Sequence, residues 1–148
     1  LDHDGIIKLY DWGDNGYISA HRGTVYSNLV YIVTEYVSGD NIFKLIKTLR
    51  ATGEEGARYI LKQIVETLLY LEQKGVAHLD LKLENIMLDE HYKVKLVDFG
   101  FSQYRNIKKL KDRVGTPTYM APEILEGRDY NGFKADIFAL GVLMFTIV

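Results

Sequence analysis

The chain has 148 residues, of which 47% are hydrophobic and 26% charged, with a formal net charge of −2 at pH 7. That length suits one domain with its own core, and the charge gives no general footing for nucleic acid or an anionic membrane. With no cysteine in the sequence, a disulfide framework and any thiolate metal site are excluded.

Ile6-Ile7-Lys8-Leu9-Tyr10-Asp11-Trp12 reads as a strand, ended by the turn signal Gly13-Asp14-Asn15-Gly16. Leu29 to Tyr36 is a second β-prone run, and Ser38-Gly39-Asp40 closes it. Asp40 or Ser38 is expected to cap a helix from Asn41 to Arg50. Ala57, Ile60, Leu61, Ile64, Leu68 and Leu71 recur at helical spacing, which predicts a helix from Glu54 to Gln73 that stops at Gly75. Two short strands follow, Ile86 to Leu88 and Val94 to Val97.

Phe101 to Tyr119 has no sustained period and reads as a long loop, a feature that in compact domains tends to be functional or disordered. Ala121 to Glu126 is expected as a short helix, and Lys134 begins a hydrophobic one. Its apolar run, Ile137 to Val148, is shorter than the ~20 residues that cross a bilayer and reads as a core helix. The opening Leu1-Asp2-His3-Asp4-Gly5 is polar rather than a secretory signal. An intracellular, cytoplasmic location is expected, and without an initiator Met the sequence reads as part of a longer frame.

The chemistry concentrates in His78-Leu79-Asp80-Leu81-Lys82-Leu83-Glu84-Asn85, between a helix and a strand. Phosphoryl transfer asks a protein to aim a hydroxyl, neutralise charge and supply hard oxygen ligands to Mg²⁺. Asp80, Lys82 and Asn85 are a carboxylate, a cation and an amide of that kind. Asp98 adds a second carboxylate, directly after a strand and before flexible Gly100.

Together with Asp98-Phe99-Gly100, Gly115-Thr116-Pro117-Thr118-Tyr119-Met120, Ala121-Pro122-Glu123 and Asp136, this loop resembles the eukaryotic-type protein kinase domain of the Ser/Thr type. Leu83-Glu84 and Leu140-Gly141-Val142-Leu143 look most like the calcium/calmodulin- and AMP-activated-kinase group. The resemblance implies an α+β, protein-kinase-like fold, present as a fragment. Residues 1–36 would be the end of the small β lobe, 37–41 the hinge region and 42–148 most of the helical large lobe. The Gly-rich loop, the strand-three Lys and the αC Glu of such enzymes would precede Leu1, so the 148 residues alone are expected to be incomplete and inactive.

The same resemblance implies residue roles, with ATP and Mg²⁺ as cofactors and proteins as substrates. Asp80 would accept or orient the substrate hydroxyl proton, Lys82 would neutralise the γ-phosphate, and Asn85 and Asp98 would hold Mg²⁺. Thr34 falls at the gatekeeper position, with Glu35, Tyr36 and Val37 as the hinge. Asn41 falls at the ribose contact, and Met87 at the floor of the adenine pocket with Ile42 beneath it. Glu84 stands among the binding residues and would favour basic residues in a substrate peptide. Leu9, His78 and Phe99 would stack as a spine, with Asp136 anchoring the His78 backbone.

Other readings are a pseudokinase or scaffold, against which all four catalytic groups speak, and a small-molecule phosphotransferase, against which the Gly115-Thr116-Pro117 and Ala121-Pro122-Glu123 elements speak. One departure stands out. Leu79 replaces the Arg that in such kinases precedes the catalytic Asp and binds the activation-loop phosphate. Asp112 occupies the usual phosphosite, and between Phe101 and Gly115 the only hydroxyls are Ser102 and Tyr104. The implied enzyme is not switched by loop phosphorylation of the usual kind; it is constitutive, or gated by a flanking segment or partner. Arg105, Lys108, Lys109, Lys111 and Arg113 against Asp112 make the loop basic, which reads as a solvated face or as a dock for an acidic partner.

Overall fold

The computed structural model describes residues 1–19, 23–49, 52–105 and 107–148, with Leu49 described by its backbone. They fall into two compact units, Ile7–Tyr36 and a larger one of Leu1–Ile6 with Val37–Val148.

The smaller unit is an antiparallel hairpin of β1 (Leu9–Ser19) and β2 (Val25–Thr34), in register from Leu9 against Thr34 to Ser19 against Val25. The expected turn at Gly13-Asp14-Asn15-Gly16 is not a turn. The strand runs through it, with register shifts between Leu9 and Asp11, Gly13 and Gly16, and Gly16 and Ile18. The reason lies in Tyr31 of the facing strand. A Cβ on Gly13 would stand 2.7 Å from the Tyr31 ring, and one on Gly16 also 2.7 Å, so the two glycines make room for an aromatic ring rather than reverse the chain.

In the larger unit, α1 (Ile42–Leu49) is capped by neither Asp40 nor Ser38. Asn41 performs that task, its Oδ1 accepting from Lys44 N at 2.9 Å. Asp40 pairs instead with the Lys44 ammonium at 2.7 Å. The expected helix end at Arg50 lies outside the described residues. Helix α2 (Gly53–Gln73) follows the predicted period and buries Ala57, Ile60, Ile64, Leu68 and Leu71. It ends where Gly75 takes φ +72, with Gly75 N bonded to Glu72 O at 2.9 Å.

That buried face packs on the hairpin of β4 (Ile86–Leu88) and β5 (Val94–Leu96), on Leu81 and Leu83, and on Ala139, Leu143 and Ile147 of α4 (Gly132–Ile147). Each fully buried Leu or Ile contributes about 1.5–3 kcal/mol. Helix α4 starts before the expected Lys134 because Asn131 Oδ1 accepts from Phe133 N at 3.0 Å and Lys134 N at 3.3 Å. Among the described residues no helix is long and apolar enough to cross a membrane.

The long segment after Phe101 is more ordered than its lack of period suggests. Its β6 (Gln103–Tyr104) pairs with β3 (Val76–Ala77). Leu110 bridges Tyr130 through two backbone bonds, of 2.8 and 2.9 Å. A 3₁₀ turn over Pro117–Tyr119 then leads into α3 (Pro122–Leu125).

The approach to α1 depends on a glycine. A Cβ on Gly39 would collide with the Leu88 carbonyl oxygen, beside the 3.1 Å bond from Leu88 N to Asp40 O. Gly39→Ala is expected to lower the unfolding free energy by about 1–3 kcal/mol, the cost of overpacking at such a contact, measured by denaturant melts of the full-length protein.

Candidate active site

The loop from His78 to Asn85 leaves β3 and enters β4 through a 3₁₀ turn at Leu83–Asn85. Its start is gripped by one carboxylate. Asp136, on the first turns of α4 and 4% exposed, accepts from His78 N at 2.7 Å and Leu79 N at 2.8 Å. Leu79 is thereby held at φ +65, a left-handed conformation unusual for a branched side chain that persists only where its surroundings enforce it. The turn aims the next residue, Asp80, into the loop's interior.

Asp80 is 4% exposed and has partners on both oxygens. Its Oδ2 accepts from Lys82 Nζ at 2.7 Å and Asn85 Nδ2 at 3.0 Å, and its Oδ1 from the Thr116 hydroxyl at 2.7 Å. Lys82 Nζ also donates to Thr116 Oγ1 at 3.1 Å, closing a triangle of carboxylate, ammonium and hydroxyl. Burial works to raise the Asp80 carboxyl, but Lys82, Thr116 and Asn85 outweigh it and hold the group below its ordinary value. Lys82 is raised in turn by its bond to Asp80.

His78 is a packed structural ring. Its Nδ1 accepts from Asp80 N at 3.3 Å, which leaves Nε2 to donate to Val97 O at 3.2 Å. Burial lowers its pKa, and the ring lies 4.8 Å from that of Phe99. Leu9, expected in the same stack, belongs to the hairpin unit, where it is 55% exposed.

Asp98 follows β5 at φ +60 and is exposed, one Oδ accepting from Gly100 N at 3.2 Å. The strand pairing brings it near Asn85, since Val97 N donates to Asn85 O at 3.0 Å. The Asn85 amide nitrogen is spent on Asp80, on its backbone O and on Oδ2, both at 3.0 Å. Its amide oxygen is left as an acceptor, and with the exposed Asp98 carboxylate it offers hard oxygens of the kind that suit Mg²⁺.

The remaining expected binding residues divide between the units. Thr34 is exposed at the end of β2 opposite Leu9, and Glu35 accepts from Lys8 N at 2.9 Å. In the larger unit Val37 is buried, Asn41 bridges Met87, and Ile42 is fully buried. Asn41 Oδ1 is engaged as the cap of α1, so its amide nitrogen is the group left for a hydroxyl. Glu84 is exposed on the 3₁₀ turn.

Sequence reasoning had Thr116 only as part of a motif; its hydroxyl joins Asp80 to Lys82 across 36 residues of chain. It had Ser102 only as a loop hydroxyl, which donates to His78 O at 3.1 Å, and passed over Tyr130, whose hydroxyl donates to Asp112 O at 2.8 Å. Local spacing carries no signal for any of these contacts.

Known proteins resemble the chain over its whole length. The protein kinase domain family matches residues 1–148. NUAK family SNF1-like kinase 1 of Homo sapiens is 38% identical over 149 residues, covering 100% of this chain and 21% of that protein. Serine/threonine-protein kinase SIK3 homolog of Danio rerio is 37% identical, covering 100% and 12%. Serine/threonine-protein kinase kin-29 of Caenorhabditis briggsae is 36% identical, covering 100% and 17%. The chain thus spans about a fifth or less of the length of these relatives.

The Asp136 carboxyl carries a pH signature. Burial pushes it up to about 6, against the pull of the two N–H donors. Its unfolded value is near ~3.9, so the folded state binds the proton more tightly and this group's contribution to stability falls as pH rises from there to about 6. Relative to Asp136→Asn, the wild-type full-length protein is expected to lose stability across that window, by up to about 3 kcal/mol. Urea midpoints taken at both ends of the window test this. Asp136→Ala, which orphans two buried N–H groups, is expected to cost about 2–5 kcal/mol above the window, and more below it, because the same titration is lost with the carboxyl.

Proposed function

The chain belongs to the eukaryotic-type protein kinase family, and on that premise we propose that it is the catalytic part of a protein serine/threonine kinase that moves the γ-phosphate of ATP to Ser or Thr hydroxyls of protein substrates. The observation that carries this reading is the triangle of Asp80, Lys82 and Thr116 with Asn85 fastened to it. Retention of Asp80, Lys82, Asn85 and Asp98 supports an active enzyme over a pseudokinase. Residues 1–36, 37–41 and 42–148 are read as the end of the small lobe, the hinge region and part of the large lobe, with nucleotide contacts from Thr34, Glu35, Val37, Asn41, Glu84 and Met87.

Each residue's part follows from its charge and partners. Asp80, an ionised carboxylate fixed on several donors, orients the substrate hydroxyl and takes up its proton. Lys82, kept cationic by Asp80, offsets the charge of the transferred group. Asn85 and Asp98 present oxygens to Mg²⁺, which when bound neutralises phosphate charge. Thr116 ties the segment before Ala121-Pro122-Glu123 to the catalytic carboxylate, so peptide docking and proton handling share one support.

Activation is the second part of the proposal. Leu79 offers no guanidinium to a loop phosphate, and Asp112 stands where the phosphorylated residue would. The enzyme is therefore competent without loop phosphorylation, and any control comes from a flanking segment or partner. No nucleic acid or membrane is needed, and an intracellular, cytoplasmic setting supplies the ATP.

Transfer of labelled γ-phosphate to Ser- and Thr-containing peptides by the full-length protein with Mg²⁺ tests the activity. Asp80→Asn is expected to lower kcat by roughly 10²- to 10⁴-fold with little change in KM for ATP. Asp98→Asn is expected to raise the Mg²⁺ concentration needed for half-maximal rate. Transfer to Tyr alone, or a rate untouched by Asp80→Asn, would refute the assignment.

A further inference from the structure

The side chain of Leu79 points away from the reacting groups and into a second apolar cluster. Leu79 is 8% exposed there, and its companions include Ile107, Met120 and Tyr130, with Leu110 and Val114 packed against them. Ile107, Leu110 and Val114 come from the activation segment. The crowding centres on Gly132, where an added Cβ would stand 3.2 Å from Leu110 Cδ1 and 3.4 Å from Leu79 Cδ2. Beside Leu79 the remaining void is only about 20 Å³, room for about one water and not for a guanidinium with a phosphate.

The same segment is tied by backbone at short intervals. Gly132 N donates to Ile107 O at 2.8 Å, and Leu110 bridges Tyr130. The Tyr130 hydroxyl holds Asp112 O at 2.8 Å. Gly115, at φ +101, passes so close to Leu79 that a Cβ on it would strike the Leu79 carbonyl oxygen. Thr116 comes next and bonds Asp80. Leu79 thus touches this segment with its side chain on one side and its carbonyl on the other, immediately before the residue that reaches the catalytic carboxylate. Asp112 is exposed and makes no ion pair among the described residues, so charge at that position does not hold the segment.

We propose that Leu79 is a positioning residue for phosphoryl transfer: its packing on Ile107, Leu110 and Val114 seats Thr116 against Asp80 and Lys82, in place of a phosphate on the loop. The inference rests on the kinase reading above and adds the means by which the segment is ordered. An apolar contact of this kind is permanent, whereas an arginine–phosphate pair comes and goes with modification.

The experiment uses the full-length protein and two readouts, steady-state kinetics and limited trypsin digestion. Cleavage is mapped at Arg105, Lys108, Lys109, Lys111 and Arg113, all within the segment. Leu79→Ala is expected to lower kcat by roughly 10- to 100-fold, as small misplacements at an active site do, with KM for ATP unchanged and faster cleavage in the segment. Leu79→Met, similar in volume, is expected to keep both near wild type, and so is Asp112→Ala. If Leu79→Ala fails to fold, Val114→Ala thins the cluster from the loop side and is expected to move both readouts the same way. Unchanged kcat and cleavage in the alanine variants would overturn the proposal, as would an Asp112→Ala loss equal to that of Leu79→Ala, which would mark Asp112 as a phosphate substitute. A wild-type protein that transfers no phosphate would instead refute the kinase reading, and the cleavage pattern would still test the packing.

Discussion

The catalytic loop keeps its shape because one buried carboxylate accepts from two consecutive backbone N–H groups. Asp136 takes His78 N and Leu79 N together, and in doing so holds Leu79 in a left-handed turn that a leucine would not choose. Reversing the chain there sends the Leu79 side chain one way and the Asp80 carboxylate the other. The carboxylate enters the polar network of the loop, and the isobutyl group enters the apolar cluster. Helix α4, which supplies Asp136, also supplies Leu143 and Ile147 to the main core, so the loop is referenced to the best-packed part of the larger unit.

From that turn outward the polar and apolar contacts divide the work. The polar triangle of Asp80, Lys82 and Thr116 fixes charge and proton positions within hydrogen-bond distance. It can form only if Thr116 arrives from a segment that lacks a helix of its own. In the proposal above, the apolar cluster around Leu79 brings it there. Burying apolar surface has no charge partner to lose, so the packing proposed for Leu79 would keep the site assembled without an arginine–phosphate pair.

Sequence made some of this plain and hid the rest for physical reasons. Asp80, Lys82 and Asn85 stand within six residues of one another, so a hydrogen-bonded grouping of the three was readable. The face of α2 was readable because burial imposes the helical period directly. The glycines at 13 and 16 misled because glycine signals both turns and close approach, and only the partner strand reveals that the Tyr31 ring lies over them. The choice of Asn41 over Asp40 as helix cap is a matter of one residue in a run where several can serve. Pairings such as Thr116 with Asp80, or Tyr130 with the Asp112 carbonyl, join distant positions through tertiary packing and leave no local pattern.

The claim on which the account depends most is that the site is assembled without a phosphate on the activation segment. The direct measurement is the initial rate of γ-phosphate transfer by the full-length protein before and after exhaustive phosphatase treatment, with phosphate on residues 101–119 read by mass spectrometry. The account expects the same rate in both states. A rate that collapses on dephosphorylation and returns only when a residue of that segment is phosphorylated again would contradict it.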